Sequence, residues 1–406
     1  MGAEALEALG PIPAVFFGVL GLLFGSFLNV CIVRWGAEPK QSVVRPRSRC
    51  PRCGHEIAWY ENVPVFSWLA LRGRCRGCGN PISPMYPLVE LTVGVLWFAM
   101  AWRHGLSLDA FRFAVFGTLL LGIALTDARA FVIPHEFTLG GSAIALVLAF
   151  VHGVPAGLDA LGGMLFGAGL VLLVGEAGTL AFRRPAMGGG DVALMGMVGA
   201  FLGWQSVIAV VALGAVVSLV LHVATAVLRP VGEDTPTSGA PVQGGLSPLV
   251  FGGALLAGLG FVAGMILLMR QGLLGDALDL ARHGVMAAGV LYYVSFALPD
   301  ALLDRTPWLQ VAGLLAFAVS FAAWPPVAVS RLVAGGALVA AVLWLVHRAP
   351  PATDGLADDV DSDTLRAHGY LPFGVGLAIA AFLLGVVVGA PSVNAVFADY
   401  ARSIGL

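Results

Sequence analysis

Apolar stretches of roughly 15 to 25 residues recur along the whole chain, with polar segments between them. Such a stretch can cross a hydrocarbon core of about 30 Å as a helix that satisfies its own backbone hydrogen bonds. The strands of a membrane β-barrel would alternate apolar and polar residues instead. The pattern predicts twelve helical spans, at about residues 14–34, 87–102, 110–127, 136–152, 158–182, 191–204, 206–228, 249–269, 284–303, 308–324, 327–347 and 371–390.

The composition of the chain agrees with a membrane protein. Hydrophobic residues make up 58% of it and charged residues only 11%, whereas soluble domains carry about 25% charged residues. The formal net charge of −2 does not indicate a nucleic-acid partner. We therefore expect an all-α polytopic membrane protein whose main surroundings are the lipid bilayer.

One long polar segment, residues 34–86, separates the first two predicted spans. It holds nine Lys or Arg residues and three Glu residues, a net charge of +6. Because cytosolic loops of membrane proteins carry an excess of Lys and Arg, we expect a small folded module in the cytosol. Counting spans from this loop places Asp127 and Asp191, which are 64 positions apart, at the same cytosolic face.

Two Cys-x-x-Cys pairs lie in this segment, Cys50 with Cys53 and Cys75 with Cys78, with 21 residues between the pairs. Four thiolates at this spacing are typical of a closed tetrahedral zinc site, which would be structural. A redox dithiol pair and a segment without metal are the alternatives. His55 could serve as a further ligand, but an exposed or supporting histidine is the simpler interpretation.

Asp127 and Asp191 are the candidate catalytic residues. Taken alone, Asp127 could be an interfacial anchor, and Asp191, which follows three glycines, could be a helix N-cap. As a pair at one depth that shares a proton, they would supply a base that activates water and an acid that polarises the scissile carbonyl. The chain lacks a Gly-x-Ser-x-Gly elbow, which disfavours a serine hydrolase.

Nine motifs carry a family resemblance. They are Phe-Gly-Ser-Phe-Leu-Asn-Val at 24–30, Arg-Cys-Pro-Arg-Cys-Gly-His at 49–55, Glu-Asn-Val-Pro at 61–64, Ser-Trp-Leu at 67–69, Arg-Gly-Arg-Cys-Arg at 72–76, Tyr-Pro-Leu-Val-Glu-Leu at 86–91, Thr-Asp at 126–127, Gly-Gly-Gly-Asp at 188–191 and Leu-Pro-Phe-Gly at 371–374. Together they are similar to the bacterial type IV prepilin peptidases, also called prepilin leader peptidases/N-methyltransferases. The resemblance covers about residues 14–228 and 370–390.

The resemblance implies that Asp127 and Asp191 are catalytic aspartates, the second in a Gly-x-Gly-Asp motif shared with presenilin-type proteases. It implies that the leaders of prepilins and pseudopilins are cleaved after a glycine and the new N-terminus is then methylated from S-adenosylmethionine. It also implies a bacterial inner (cytoplasmic) membrane location, with the zinc module and active site facing the cytosol.

Methyl transfer rests on this resemblance alone, because no Gly-x-Gly-x-x-Gly segment between a strand and a helix is evident. Candidate contacts to the methyl donor or the substrate are Gly25, Asn29, Arg34 and Glu61. Packing between helices would equally explain Gly25 and Asn29.

The chain departs from the family pattern at three places. Ala193 stands where a lysine is usual, His135 stands where an acid is common, and residues 249–347 add about four spans to about eight family-like ones. The predicted organisation is a first span (1–34), a zinc module (35–86), a peptidase core (87–228), inserted spans (229–348), and a polar loop with the last span (349–406).

Two other functions stay open. One is a twelve-span transporter whose paired aspartates couple cations or protons, although the cysteine module disfavours it. The other is a peptidase that has lost its activity and serves as an interaction partner in pilus assembly.

Overall fold

A computed structural model describes residues 11–37, 39–44, 47–182, 187–227 and 373–389, together with single residues between 282 and 293. Over these residues all the regular secondary structure is helical, and the cysteine segment contains two isolated β-bridges. The chain divides into two compact units, Met1–Ala160 and Leu161–Leu406.

The helices agree with the predicted spans. In chain order they are α1 (Ile12–Trp35), α2 (Phe66–Ala70), α3 (Met85–His104), α4 (Leu108–Ala130), α5 (His135–Val151), α6 (Val154–Phe182), α7 (Gly189–Leu202), α8 (Trp204–Val227) and α9 (Phe373–Phe382), which continues as a π-helix over Leu383–Gly389. By length and composition, α1, α3, α4 and residues Val154–Thr179 of α6 can cross a membrane, and α5, α7, the first part of α8 and α9 are shorter apolar helices.

The prediction of an all-α membrane protein is therefore confirmed, and each of the eight family-like spans coincides with a helix to within a few residues. Three of the four additional spans, those at 249–269, 308–324 and 327–347, lie outside the described residues. Of the span predicted at 284–303, only residues 285, 286, 288–290, 292 and 293 are described, and all of them are helical.

Glycines bring α1 and α3 close together in the first unit. A Cβ added at Gly21 would lie 2.7 Å from Trp97 Cβ, so the indole can pack only against a residue without a side chain. Trp97 is 1% exposed, and its Nε1 donates to Thr118 Oγ1 of α4 at 2.9 Å. Small residues at a helix crossing and a satisfied polar bond are the usual means of packing helices in lipid.

The second unit contains a helix that is buried almost from end to end. Residues 192–202 of α7 are all buried, and a Cβ at Gly163 of α6 would overlap the carbonyl of Gly199. Close backbone approach of this kind requires glycine. The structure thus places Asp191 in the first turn of a helix that the protein encloses.

Candidate active site and metal centre

The four cysteines of the polar segment form one cluster. Their sulfur atoms lie within 4.8 Å of one another, and the pairs Cys50–Cys78 and Cys53–Cys75 are each separated by 3.9 Å. A tetrahedral zinc ion with Zn–S bonds of about 2.3 Å requires sulfur separations of about 3.8 Å. Four cysteine sulfur atoms are a donor set that zinc prefers in structural sites. The cluster therefore fits a metal ion.

Two matching turns hold these cysteines. In the first turn, the Cys50 N–H donates to the His55 carbonyl at 2.9 Å, and the Gly54 N–H donates to the Cys50 carbonyl at 3.0 Å. The second turn repeats this pattern around Cys75, with Gly79 in place of Gly54. Both glycines have φ +71°, a left-handed conformation that other residues adopt only at a cost. A glycine directly after each cysteine pair thus permits the tight turn.

The His55 imidazole contacts a carboxylate. Its Nε2 lies 3.1 Å from Glu61 Oε2, and the Ala58 N–H donates to the same oxygen at 3.0 Å. The Ala58 amide, the His55 hydrogen bond and the nearby charge of Arg76 hold the pKa of Glu61 below its usual range. His55 thus links the first turn to the 3-10 helix Trp59–Asn62.

Asp127 lies in the last turn of α4 and is 4% exposed. The helix ends here because Phe131 adopts a left-handed conformation with φ +55°, and its N–H donates to the Asp127 carbonyl at 2.8 Å. Just beyond this end, Lys40 Nζ and Glu136 Oε2 form an ion pair at 3.1 Å. The apolar span therefore terminates in a buried carboxyl group.

Asp191 lies in the first turn of α7, where Gly188 is the N-cap. The Asp191 N–H donates to the Gly188 carbonyl at 3.1 Å, and the Gly188 backbone also hydrogen-bonds with the Asp191 carboxyl group. The other carboxyl oxygen, Oδ1, is buried and has no hydrogen-bond partner among the residues that the structure describes.

Asp127 belongs to the first compact unit and Asp191 to the second. Their pairing at one membrane face therefore stays a prediction. Ala193 and His135 are the two residues near these aspartates that depart from the family pattern. Ala193 is fully buried in α7. His135 is the first residue of α5 and directly precedes Glu136, which pairs with Lys40.

Each candidate contact of the methyl donor has an internal partner. A Cβ at Gly25 would lie 2.7 Å from Glu90 Cα, and Asn29 Nδ2 donates to the Tyr86 carbonyl at 3.0 Å. Arg34 and Glu61 also have partners within this unit: Arg34 donates to the Ser42 carbonyl at 2.6 Å, and Glu61 accepts from the Ala58 N–H at 3.0 Å. These contacts agree with the packing interpretation of Gly25 and Asn29, and the four residues stay candidate contacts of the methyl donor.

Glu90 belongs to the motif at 86–91, but no role was predicted for it. Its side chain is buried, and its Oε2 accepts a hydrogen bond at 2.7 Å from the N–H of Val65. Val65 is held at φ +63°, an unusual conformation for a β-branched residue, at the start of α2. Glu90 thus ties the cysteine module to α3. A glutamate within an apolar span was the signal that could have indicated this role.

Two family models match the chain. The bacterial peptidase A24 N-terminal domain matches residues 19–104, and the type IV leader peptidase family matches residues 114–223. A prepilin leader peptidase/N-methyltransferase of Myxococcus xanthus is 46% identical over 239 residues, which cover 57% of this chain and 71% of that protein. The chain belongs to the type IV leader peptidase family.

Relatives with the same name extend this similarity. The protein of Pseudomonas aeruginosa is 37% identical over 245 residues, which cover 55% of this chain and 84% of that protein. The protein of Aeromonas hydrophila is 33% identical over 268 residues, with coverages of 59% and 91%. No solved structure matches the chain significantly.

Membership of the type IV leader peptidase family confirms the resemblance that the motifs predicted. The first family model contains most of α1, the cysteine cluster and α3, and the second contains both candidate aspartates. Since this is a family of aspartic peptidases, a transporter is not favoured. Neither family model extends over residues 224–406, so the inserted region lies outside both of them.

Proposed function

We propose that this protein is a membrane aspartyl endopeptidase that cleaves the leader of type IV prepilins and pseudopilins with Asp127 and Asp191. The observation that carries this proposal is the placement of Asp191. A glycine turn at the start of a buried helix presents a carboxyl group with one enclosed oxygen that has no partner among the described residues. Asp127 supplies the second carboxyl group, buried at the end of an apolar span, and members of the family are named as leader peptidases.

In this mechanism the two carboxyl groups share one proton, because two nearby carboxylates in a poorly solvated site cannot both ionise cheaply. The ionised aspartate takes a proton from water, which attacks the scissile carbonyl carbon. The protonated aspartate donates a hydrogen bond to the carbonyl oxygen and stabilises the charge that develops there. The aspartate that took the proton from water then passes it to the amine of the leaving peptide as the C–N bond breaks, and the pair again shares one proton.

The cysteine cluster is proposed to hold one structural zinc ion. Four thiolates at nearly tetrahedral separations leave no open coordination position for a substrate. Cys50, Cys53, Cys75 and Cys78 would hold the ion, which would cross-link a segment too short to build a large hydrophobic core. The cluster supports α2 and the Glu90 contact rather than the chemical step.

We extend the proposal to methyl transfer and to orientation in the membrane. The relatives are named N-methyltransferases, and S-adenosylmethionine would supply the methyl group for the new N-terminal amine. No step is assigned to Gly25, Asn29, Arg34 or Glu61, which stay candidate contacts. The +6 charge of residues 34–86 supports a cytosolic position of the cysteine module and the active site in a bacterial inner membrane.

The peptidase proposal is tested by cleavage of a prepilin with a basic leader and a glycine junction, followed by mass spectrometry in detergent. Asp127→Asn and Asp191→Asn are each expected to reduce cleavage by about 10³-fold or more, because the remaining group cannot act as both acid and base. Asp109→Asn is the matched control, since Asp109 is exposed at the opposite end of the helix that carries Asp127. Full cleavage by either active-site variant would refute the assignment of Asp127 and Asp191 as the catalytic pair.

A mass increase of one methyl group on the cleaved product tests the second activity. It is expected only when S-adenosylmethionine is added. Cleavage without methylation would confine the function to proteolysis.

A further inference from the structure

A tyrosine from the inserted region contacts the glycine turn before Asp191. Tyr292 Oη donates to the Gly189 carbonyl at 2.7 Å, although the two residues are 103 positions apart in sequence. The Tyr292 side chain is 8% exposed, and the backbone amide of Ala193 also interacts with its hydroxyl group. In a regular helix the Gly189 carbonyl would pair with the Ala193 amide. The hydroxyl group therefore lies at the helical turn that carries Asp191.

The described residues around Tyr292 are packed against two helices of the same unit. A Cβ at Gly169 of α6 would overlap the Val285 carbonyl, and a Cβ at Gly289 would overlap the Leu165 carbonyl. A Cβ at Gly196 of α7 would overlap the Tyr293 hydroxyl group. Close backbone contact with α6 and the Tyr293 side chain against α7 fix the position of the described residues around Tyr292.

The turn that Tyr292 contacts has little intrinsic rigidity. It consists of Gly188, Gly189 and Gly190, and glycine has more backbone freedom than any other residue. Gly188 and Gly189 are exposed, so packing does not hold them. Because the Asp191 Oδ1 atom has no partner among the described residues, the direction of the carboxyl group depends on the backbone of this turn.

We propose that Tyr292 is a positioning residue for Asp191: its hydrogen bond to the Gly189 carbonyl fixes the glycine turn and thereby the direction of the catalytic carboxyl group. This inference rests on the proposed peptidase function. It gives the inserted region, which lies outside both family models, a role in the peptidase site of this protein. Tyr292 acts through the backbone and takes no part in proton transfer.

The test compares Tyr292→Phe with Tyr293→Phe in the full-length protein. Each substitution removes one hydroxyl group from the same helical segment and keeps the ring, but only Tyr292 hydrogen-bonds to Gly189. We expect Tyr292→Phe to lower kcat for prepilin cleavage about five- to tenfold, the effect of one neutral hydrogen bond. KM should stay within about twofold, because the substrate loses no contact. The midpoint of the pH profile of kcat should also move, because the surroundings of Asp191 change.

Thermal unfolding in detergent is measured for both variants, and Asp191→Asn is assayed beside them. A wild-type kcat and pH profile for Tyr292→Phe, with Asp191→Asn inactive, would overturn the positioning role and leave the peptidase proposal intact. Equal losses of activity and thermal stability in both tyrosine variants would also overturn it, in favour of a purely structural role. An Asp191→Asn variant that still cleaves would instead refute the peptidase proposal.

Discussion

Replacement of Gly25 by alanine tests whether this motif residue serves helix packing or binds the methyl donor. The added Cβ would lie 2.7 Å from Glu90 Cα and 3.2 Å from both the Glu90 carbonyl oxygen and Val93 Cβ. Ordinary carbon contacts begin near about 3.5 Å, so α1 and α3 must separate by roughly 0.5–1 Å. Because the nearest atoms belong to the main chain, no side-chain rotation can relieve the overlap. We expect a loss of about 1–3 kcal/mol in the free energy of unfolding.

Two alanine substitutions provide graded controls. At Gly18, two turns earlier on α1, the Cβ would lie 3.2 Å from Phe98 Cβ, which is a milder contact. At Gly140 of α5 no atom lies within 4 Å, so alanine should stabilise the helix by about 0.5–1 kcal/mol. Thermal unfolding in detergent, followed by tryptophan fluorescence, should therefore rank Gly140→Ala highest and Gly25→Ala lowest. At about 2–4 °C per kcal/mol, the Gly25 effect is several degrees.

The two roles of Gly25 make opposite predictions for activity. If Gly25 serves packing, Gly25→Ala lowers the unfolding temperature, and cleavage and methylation decline together as folded protein is lost. If Gly25 contacts the methyl donor, methylation fails while cleavage and the unfolding temperature are retained. An unchanged unfolding temperature would refute the steric argument.

Two further predictions concern the cysteine module. Cys50→Ser removes one of the four ligands, so bound zinc measured by elemental analysis should fall from one ion per chain to a small fraction. The control is Cys31→Ser in α1, which is not part of the cluster and should leave the zinc content at one ion per chain. The second prediction concerns Glu61, whose pKa is lower in the folded protein than in the unfolded chain. Its contacts therefore stabilise the protein fully at pH values above the unfolded pKa of about 4.3. This stabilisation is lost as the pH falls through the folded pKa. The unfolding temperature of Glu61→Gln should therefore be lower than that of the wild type at pH 7 and equal to it in acid; a difference that persists in acid would contradict this linkage.

Much of the candidate site could be predicted from the sequence because local patterns specify it. The spacing of the four cysteines predicted a cluster that the structure brings together, and a glycine turn after each pair positions the sulfur atoms. The ends of the helices that carry Asp127 and Asp191 could also be predicted, because each apolar run stops at a polar or glycine-rich segment.

Contacts between distant parts of the chain could not be predicted in this way. The bond from Tyr292 to Gly189 and the bond from Glu90 to Val65 each join residues whose own neighbours in sequence give no sign of the partner. Hydrophobic periodicity says that a segment is buried but not which helix it packs against. The sequence had also left Asn29 open between two roles, and only the structure supplies its partner, the Tyr86 carbonyl.

The sequence by itself determined that this protein is a helical membrane protein of the type IV leader peptidase family with a four-cysteine module, because apolar length, ligand spacing and motif identity are properties of short segments. Only the tertiary structure decided that Glu90 anchors the module, that Gly21 and Gly25 set the contact between α1 and α3, and that an inserted tyrosine reaches the turn before Asp191. The physical reason is that close packing selects partners by shape across the whole fold, and a linear pattern does not contain that information.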